Sequence, residues 1–222
     1  MLFRSLVQGR ATLQAHLAGT VVAPLPPLLQ GVIEVHGTVL APQVEARLQY
    51  AGGQLTTTLV AQLQEPTPRY SATLHVDDLN MAQVLSGAQG TLGAHLHVQG
   101  TGFAALQRRA EVQLRLETSG STLAPGLTTR VQGSLTGNTV RLEEVQVHSA
   151  LGVLVARGTI SPTATTPAHT SLTYAVTLGD LTPLQRYLGV PLQAKGSLSG
   201  TVQGTWPALQ VRHRLQIGRA HV

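Results

Sequence analysis

Cysteine is missing from the chain altogether, so disulfide bridges and thiolate metal sites are excluded; the absence fits an oxidising envelope compartment. Charge is scarce: Asp, Glu, Lys and Arg make up 11% of the residues, under half of the usual quarter. The bases are scattered singly, Arg108-Arg109 is the only adjacent pair, and aromatics, at 3%, do not interleave with them. Without a basic stripe or stacking platforms, nucleic-acid binding is not expected. No run approaches the roughly 20 apolar residues of a membrane-spanning helix. There is no nucleophile elbow, phosphate loop or zinc-protease motif, so the chain is expected not to be an enzyme and to need no cofactor.

The ends look foreign. Leu2-Phe3-Arg4-Ser5 and Ile217-Gly218-Arg219-Ala220-His221-Val222 read as translated adapter sequence, so residues 1–5 and 217–222 are set aside from fold reasoning. Residues 6–216 then read as an internal piece of a longer chain. Arg4 and Arg219 carry two of the formal charges, which lowers +5 to +3.

What is present is aliphatic and polar in alternation. Apolar residues reach 42%, mostly as Leu, Val and Ala, with Gln, Thr, Ser and Gly filling the rest. In Thr12-Leu13-Gln14-Ala15-His16-Leu17, Leu13, Ala15 and Leu17 share one side of a strand and Thr12, Gln14 and His16 the other. The same period recurs around Ile33 and Val35, Val44 to Leu48, Ser71 to Val76, Val112 to Leu116 and Thr139 to Val147. Leu151 to Ile160 is more continuously apolar and predicts a more buried strand. The prolines at 24, 26 and 27 predict a loop from Val22 to Gln30, and Gly52-Gly53 a hairpin turn. About 14 strands are expected in all.

Two stretches break the alternation. Asp78 to Gly87 predicts a short helix capped by Asn80, and Thr182-Pro183 to Gly189 a second with a good cap and a proline at its first position. Asp78 and Asp180 recur before them and suit helix starts.

The chain also repeats itself. Val35–Gln49 and Val202–Gln216 are identical at nine of fifteen positions at one constant offset, where chance gives about one. A weaker third copy occupies residues 98–114, and the longer blocks 71–106 and 173–209 correspond. Two short helices cannot cover the apolar face of so many strands. That face must meet another sheet, roll into a barrel, stack as a solenoid, or meet an apolar ligand in a curled trough. A trough lined by Leu, Val, Ala and Ile suits acyl chains; an ordinary filled sandwich core is the equal alternative. The candidate lipid-contact residues are Ile33, Val35, Leu96, Val98, Val202 and Trp206. Trp206 stands where Val39 stands in the first copy, which suits packing or lining.

The remaining polar groups point to no chemistry. His95 and His97 share a strand face and, together with His75, read as a solvated face rather than a metal site. Asp77-Asp78 and Glu143-Glu144 are adjacent on strands, so their carboxylates diverge and do not form a general acid/base couple.

The Gly-Thr-x-x-Ala-Pro-x-Val-x-Ala-x-Leu unit at Gly37–Leu48, its versions at Gly100 and Gly204, and Ala156-Arg157-Gly158-Thr159-Ile160-Ser161 carry a family resemblance. So do Thr177-Leu178-Gly179-Asp180-Leu181-Thr182-Pro183-Leu184 and the Pro191–Thr201 stretch after it. With these motifs the chain resembles the AsmA/TamB superfamily of bacterial envelope proteins. The resemblance implies an all-β, long, curled, repetitive sheet forming an open groove of the β-taco kind, with two short helices. It implies a periplasmic location, with the parent protein anchored in the inner membrane. The implied partners are phospholipid acyl chains, the inner and outer membranes and outer-membrane assembly proteins, and the implied role is lipid transfer or outer-membrane assembly. A structural or secreted, adhesin-like β-repeat with a filled core is the alternative.

Overall fold

Alternation at period two, bounded by glycine-containing turns, becomes one antiparallel sheet in the computed structural model, which describes residues 9–16, 28–84, 88–104, 107–121, 126–161, 170–179, 196–205 and 208–217. Its strands are β1 (Gly9–His16), β2 (Leu28–Thr38), β3 (Ala41–Tyr50), β4 (Gly53–Gln62), β5 (Arg69–Asn80), β6 (Thr91–Thr101) and β7 (Arg109–Ser119). They continue as β8 (Thr128–Thr136), β9 (Thr139–Ser149), β10 (Gly152–Ile160), β11 (Thr170–Leu178), β12 (Gly196–Thr205) and β13 (Ala208–Ile217). The thirteen strands lie side by side in chain order, each pairing with its sequence neighbours. The sheet is open and uncurled, with β1 and β13 as its edges. At a spacing of about 4.8 Å it extends on the order of 58 Å from edge to edge. Sheets curl mainly at bulges and glycine kinks, and these ladders contain few register shifts.

Directly paired residues of an antiparallel ladder point to the same face. One row therefore crosses the sheet through Val35, Val44, Leu59, Ala72, Val98, Val112, Gly133, Leu142, Gly158, Leu172, Val202 and Val211. The next row on that face runs from Ile33 through Leu74, Leu96, Leu114 and Val131 to His213, and a third from Leu48 through Val76 and Leu116 to Leu215. From β2 to β13 these three rows contain no Asp, Glu, Lys or Arg. The opposite face is polar: Glu45, Thr58, Thr73, His97, Gln113 and Gln132 form one of its rows.

The apolar face keeps its phase through two bulges. Against β6, β5 steps from Val76 to Leu79, with Asp78 at φ 53°; against β8, β9 steps from Leu142 to Glu144. One extra residue in each strand holds Val76 with Leu79, and Leu142 with Val145, on the same side. The two adjacent acidic pairs of the sequence are these bulges. Asp78 is thus a strand residue, not the start of a helix. The helix α1 is only Met81–Val84, and the Asn80 side-chain oxygen does cap it, accepting the Ala82 N–H at 3.0 Å. The second expected helix, at 182–189, lies outside the described residues.

Three further expectations are corrected. β2 begins at Leu28, inside the stretch expected to be loop, because residues after the prolines are free to join the ladder, and Leu28 pairs with His16. The turn between β3 and β4 is Ala51-Gly52 rather than Gly52-Gly53, with φ 49° and 75° and Tyr50 opposite Gly53. That register sets Leu48 against Leu55 and Val44 against Leu59, apolar on apolar. An alanine held in the left-handed region is strained, so Ala51→Gly raises the urea midpoint by the equivalent of about 1 kcal/mol. Third, β10 is not more buried than its neighbours: Ala156 is its one buried residue and Val155 is exposed. Leu154 and Ala156 lie on the apolar face and Val153 and Val155 on the opposite one, with no second layer over either among the described residues.

Burial throughout follows from that single layer. The buried apolar residues are Ala46, Ala51, Ala61, Val76, Ala88, Ala110 and Ala156, nearly all alanine, and no large side chain is fully buried among the described residues. Small residues are shaded by taller neighbours in their own sheet; no described residue lies above them. The chain exposes 15001 Å², whereas a folded monomer of its mass exposes about 9,700 Å². A filled sandwich core is absent from the described residues.

The turn ends are tied together locally. Arg108, after β6, donates from Nε to the Gly137 carbonyl at 2.7 Å and from Nη2 to the Asn138 side-chain oxygen at 2.8 Å. Gly137 N–H in turn donates to the Arg108 carbonyl at 2.9 Å. Arg108→Ala lowers stability by about 1–2 kcal/mol in urea titration, and Arg108→Lys restores little of it, since a lysine cannot reproduce the fork.

Candidate functional site

The described residues offer one extended feature of unusual chemistry, the uncovered apolar face, and the sequence-selected residues fall on it. Val35, Val98 and Val202 lie in one cross-strand row, and Ile33 and Leu96 lie in the adjacent row. All five are half-buried. They share a face but not a pocket: Val35 on β2 and Val202 on β12 are ten strand spacings apart, about 48 Å. Trp206 lies outside the described residues. The site is a surface repeated strand by strand.

Aromatic side chains on this face stand over glycines. Tyr70 pairs with Gly100, and a Cβ added at Gly100 would lie 2.5 Å from the tyrosine Oη and 2.6 Å from Cζ. Tyr174 pairs with Gly200 in the same way, at 2.6 and 2.8 Å. Each ring covers the gap left by the missing side chain across the strand. Tyr70 also stacks on Phe103, with ring centroids 5.4 Å apart and planes 14° apart, and Phe103 is 62% exposed. Sequence reading overlooked these pairs because cross-strand register brings them together from 30 and 26 residues apart.

The polar face carries the histidine cluster. The imidazoles of His75 and His95 stand opposite each other, 4.2 Å between centroids and tilted by 32°. His97, two residues on and on the same face, contacts Thr73 Oγ1 through Nδ1 at 3.3 Å. Among the described residues no three His, Cys, Asp or Glu side chains converge to hold a metal. An open depression of about 640 Å³ also lies toward this face, between polar rows that include Arg69, Ser71, Gln99, Thr101, Arg109 and Glu111. Its charges are partly committed: Glu65 pairs with Arg69 at 3.0 Å, and Gln99 donates to Glu111 at 2.7 Å. Tyr70, Gly100, Ala110 and Leu135, the row between these polar ones, also line the depression. The acidic pairs Asp77-Asp78 and Glu143-Glu144 serve the bulges, and their alternation-breaking spacing was the signal that could have revealed them.

Comparison with family models, curated proteins and solved structures finds no match for this chain. The functional reading therefore rests on the face itself. Chemically, a broad surface of Leu, Val and Ala offers contact area without charge, hydrogen-bonding specificity or a reactive group. It suits a long apolar ligand that needs no recognition beyond its hydrocarbon.

Proposed function

We propose that this chain is a lipid-carrying segment of an AsmA/TamB-like envelope protein, whose apolar face accommodates phospholipid acyl chains. The observation that supports the reading is the set of mainly apolar rows from β2 to β13, free of Asp, Glu, Lys and Arg and left without a covering layer among the described residues. Contiguous exposed apolar surface of this extent marks an interaction site in soluble proteins. Acyl chains match it because their contacts are purely apolar and run across many strands, as the rows do. A groove-like curl of the sheet around its cargo is part of the proposal, as are the periplasmic location, inner-membrane anchorage of the parent, delivery toward the outer membrane and contact with assembly proteins there.

The test is site-specific photocrosslinking. A photoreactive residue at Leu96, Val98 or Val202 captures phospholipid from mixed phospholipid vesicles, while the same residue at Gln99 or Gln203, one position along and on the opposite face, does not. Equal capture at both sets, or none at the first, overturns the proposal.

A further inference from the structure

The ladder brings together two histidines that lie twenty residues apart in the chain. His75 of β5 stands directly opposite His95 of β6 on the polar face, and their rings lie side by side, 4.2 Å between centroids and tilted by 32°. Both strands are interior to the sheet, flanked by β4 and β7, so each has its ladder complete on either side. Both histidines are exposed, and neither has a hydrogen-bond or ionic partner among the described residues, which leaves their ring nitrogens open to a ligand. His97, two residues on from His95, is engaged elsewhere: its Nδ1 contacts Thr73 Oγ1 at 3.3 Å. Proximity in the sequence points to His95 and His97 as a pair. The register selects His75 and His95 instead.

We infer that His75 and His95 together bind one divalent transition-metal ion of the Zn²⁺, Ni²⁺ or Cu²⁺ class, with water completing its coordination. Residues directly opposite in an antiparallel ladder hold their Cβ atoms about 5 Å apart. Two imidazole nitrogens on a tetrahedral ion, each about 2.1 Å from it, are about 3.4 Å from one another. Rings already 4.2 Å apart reach that separation by rotation about χ2, without movement of the backbone. Imidazole selects ions of this class over Mg²⁺ and Ca²⁺, which take oxygen ligands. The neighbouring charges do not oppose the ion. Arg115, opposite His95 on β7, is paired with Glu117 at 3.4 Å. On the other side, Thr56 of β4 faces His75, and Asp77, two residues from His75 on the same face, adds a negative charge. With only two protein ligands the ion remains exchangeable, unlike the closed four-ligand sites that serve as permanent structural centres. While bound, it links β5 to β6 beside the Asp77-Asp78 bulge and fastens the ladder where its register shifts.

The test is independent of the lipid reading, since the pair lies on the face opposite the apolar rows. The whole chain, without an affinity tag, is titrated calorimetrically with Zn²⁺ and, as a control, with Mg²⁺. Zn²⁺ binds and Mg²⁺ does not. His75→Ala and His95→Ala each weaken Zn²⁺ binding by at least about tenfold, whereas His97→Ala leaves it nearly unchanged. Zn²⁺ also raises the urea midpoint of the native chain and of His97→Ala, but not of the other two variants, because ligands held on adjacent strands bind the folded state alone. Both substitutions replace exposed side chains, so the midpoints without metal stay at the native value, which separates loss of a ligand from loss of the fold. A further reading needs no variant: in the native chain Zn²⁺ shifts the imidazole resonances of His75 and His95 and not those of His36 or His148. The inference is overturned if Zn²⁺ fails to bind, if it shifts other histidines only, or if either alanine variant binds it as the native chain does. It is equally overturned if His97→Ala costs as much as His95→Ala, which would make the site a pair along one strand.

Discussion

Gly37→Ala and Gly204→Ala each destabilise the sheet by roughly 2–4 kcal/mol, read as a fall in the urea midpoint at unchanged slope. The two glycines are equivalent in the repeated unit, with φ 95° and 131°. A Cβ at Gly37 would run into the Ala41 carbonyl oxygen, and one at Gly204 into the equivalent carbonyl of Ala208. The clash is with backbone, so no side-chain rotation relieves it, and it adds to the cost of positive φ. Gly100, in the weaker third copy, shares the close approach: its Cβ would lie 2.5 Å from the Arg109 carbonyl oxygen. Gly126 separates the two contributions. It has φ 63° with nothing within 4 Å, so Gly126→Ala carries the conformational cost alone, about 1 kcal/mol. If Gly37→Ala costs no more than Gly126→Ala, the close approach is not what makes glycine necessary there.

Val98→Asp and Val202→Asp abolish phospholipid capture while lowering stability by only about 1 kcal/mol or less. A carboxylate buried in a filled sandwich core would instead cost several kcal/mol, because burial strips its hydration without supplying a partner. On a single layer the new carboxylate stays hydrated, since both valines are only half-buried and no second layer of described residues covers them. Leu59→Asp, at a position 39% exposed in the same row, behaves likewise. Thermal unfolding beside the lipid-crosslinking yield reads both effects. A large loss of stability at all three positions would mean that another layer covers this face in solution. Unchanged capture would remove the face from the lipid path.

Most of the strand plan was legible in the sequence because side chains of a strand alternate strictly, and Leu, Val and Ala alternate here with Thr, Gln and Ser over most of the chain. The repeat was equally legible: Val35 and Val202 share a register as well as a residue type. The breaks in alternation were harder. Asp77-Asp78 fits a helix start as well as a bulge when read locally. Only pairing with β6, Val76 opposite Ala94 and Leu79 opposite Leu92, makes it a bulge. The turn at Ala51-Gly52 was misplaced by one residue for the same reason: the local choice favoured two glycines, and the apolar match of Leu48 with Leu55 prevailed.

Sequence alone determined the class of structure, the phase of nearly every strand and the membership of the apolar face, including five of the six selected contact residues. These are properties of period and residue type, and they hold in whatever way the strands are assembled. Tertiary structure decided what covers that face. A sandwich, a solenoid and a single layer all satisfy the same alternation, because a strand's pattern records which side is apolar and not what lies against it. Here the strands pair in chain order and no second layer forms among the described residues, so the apolar rows remain a surface.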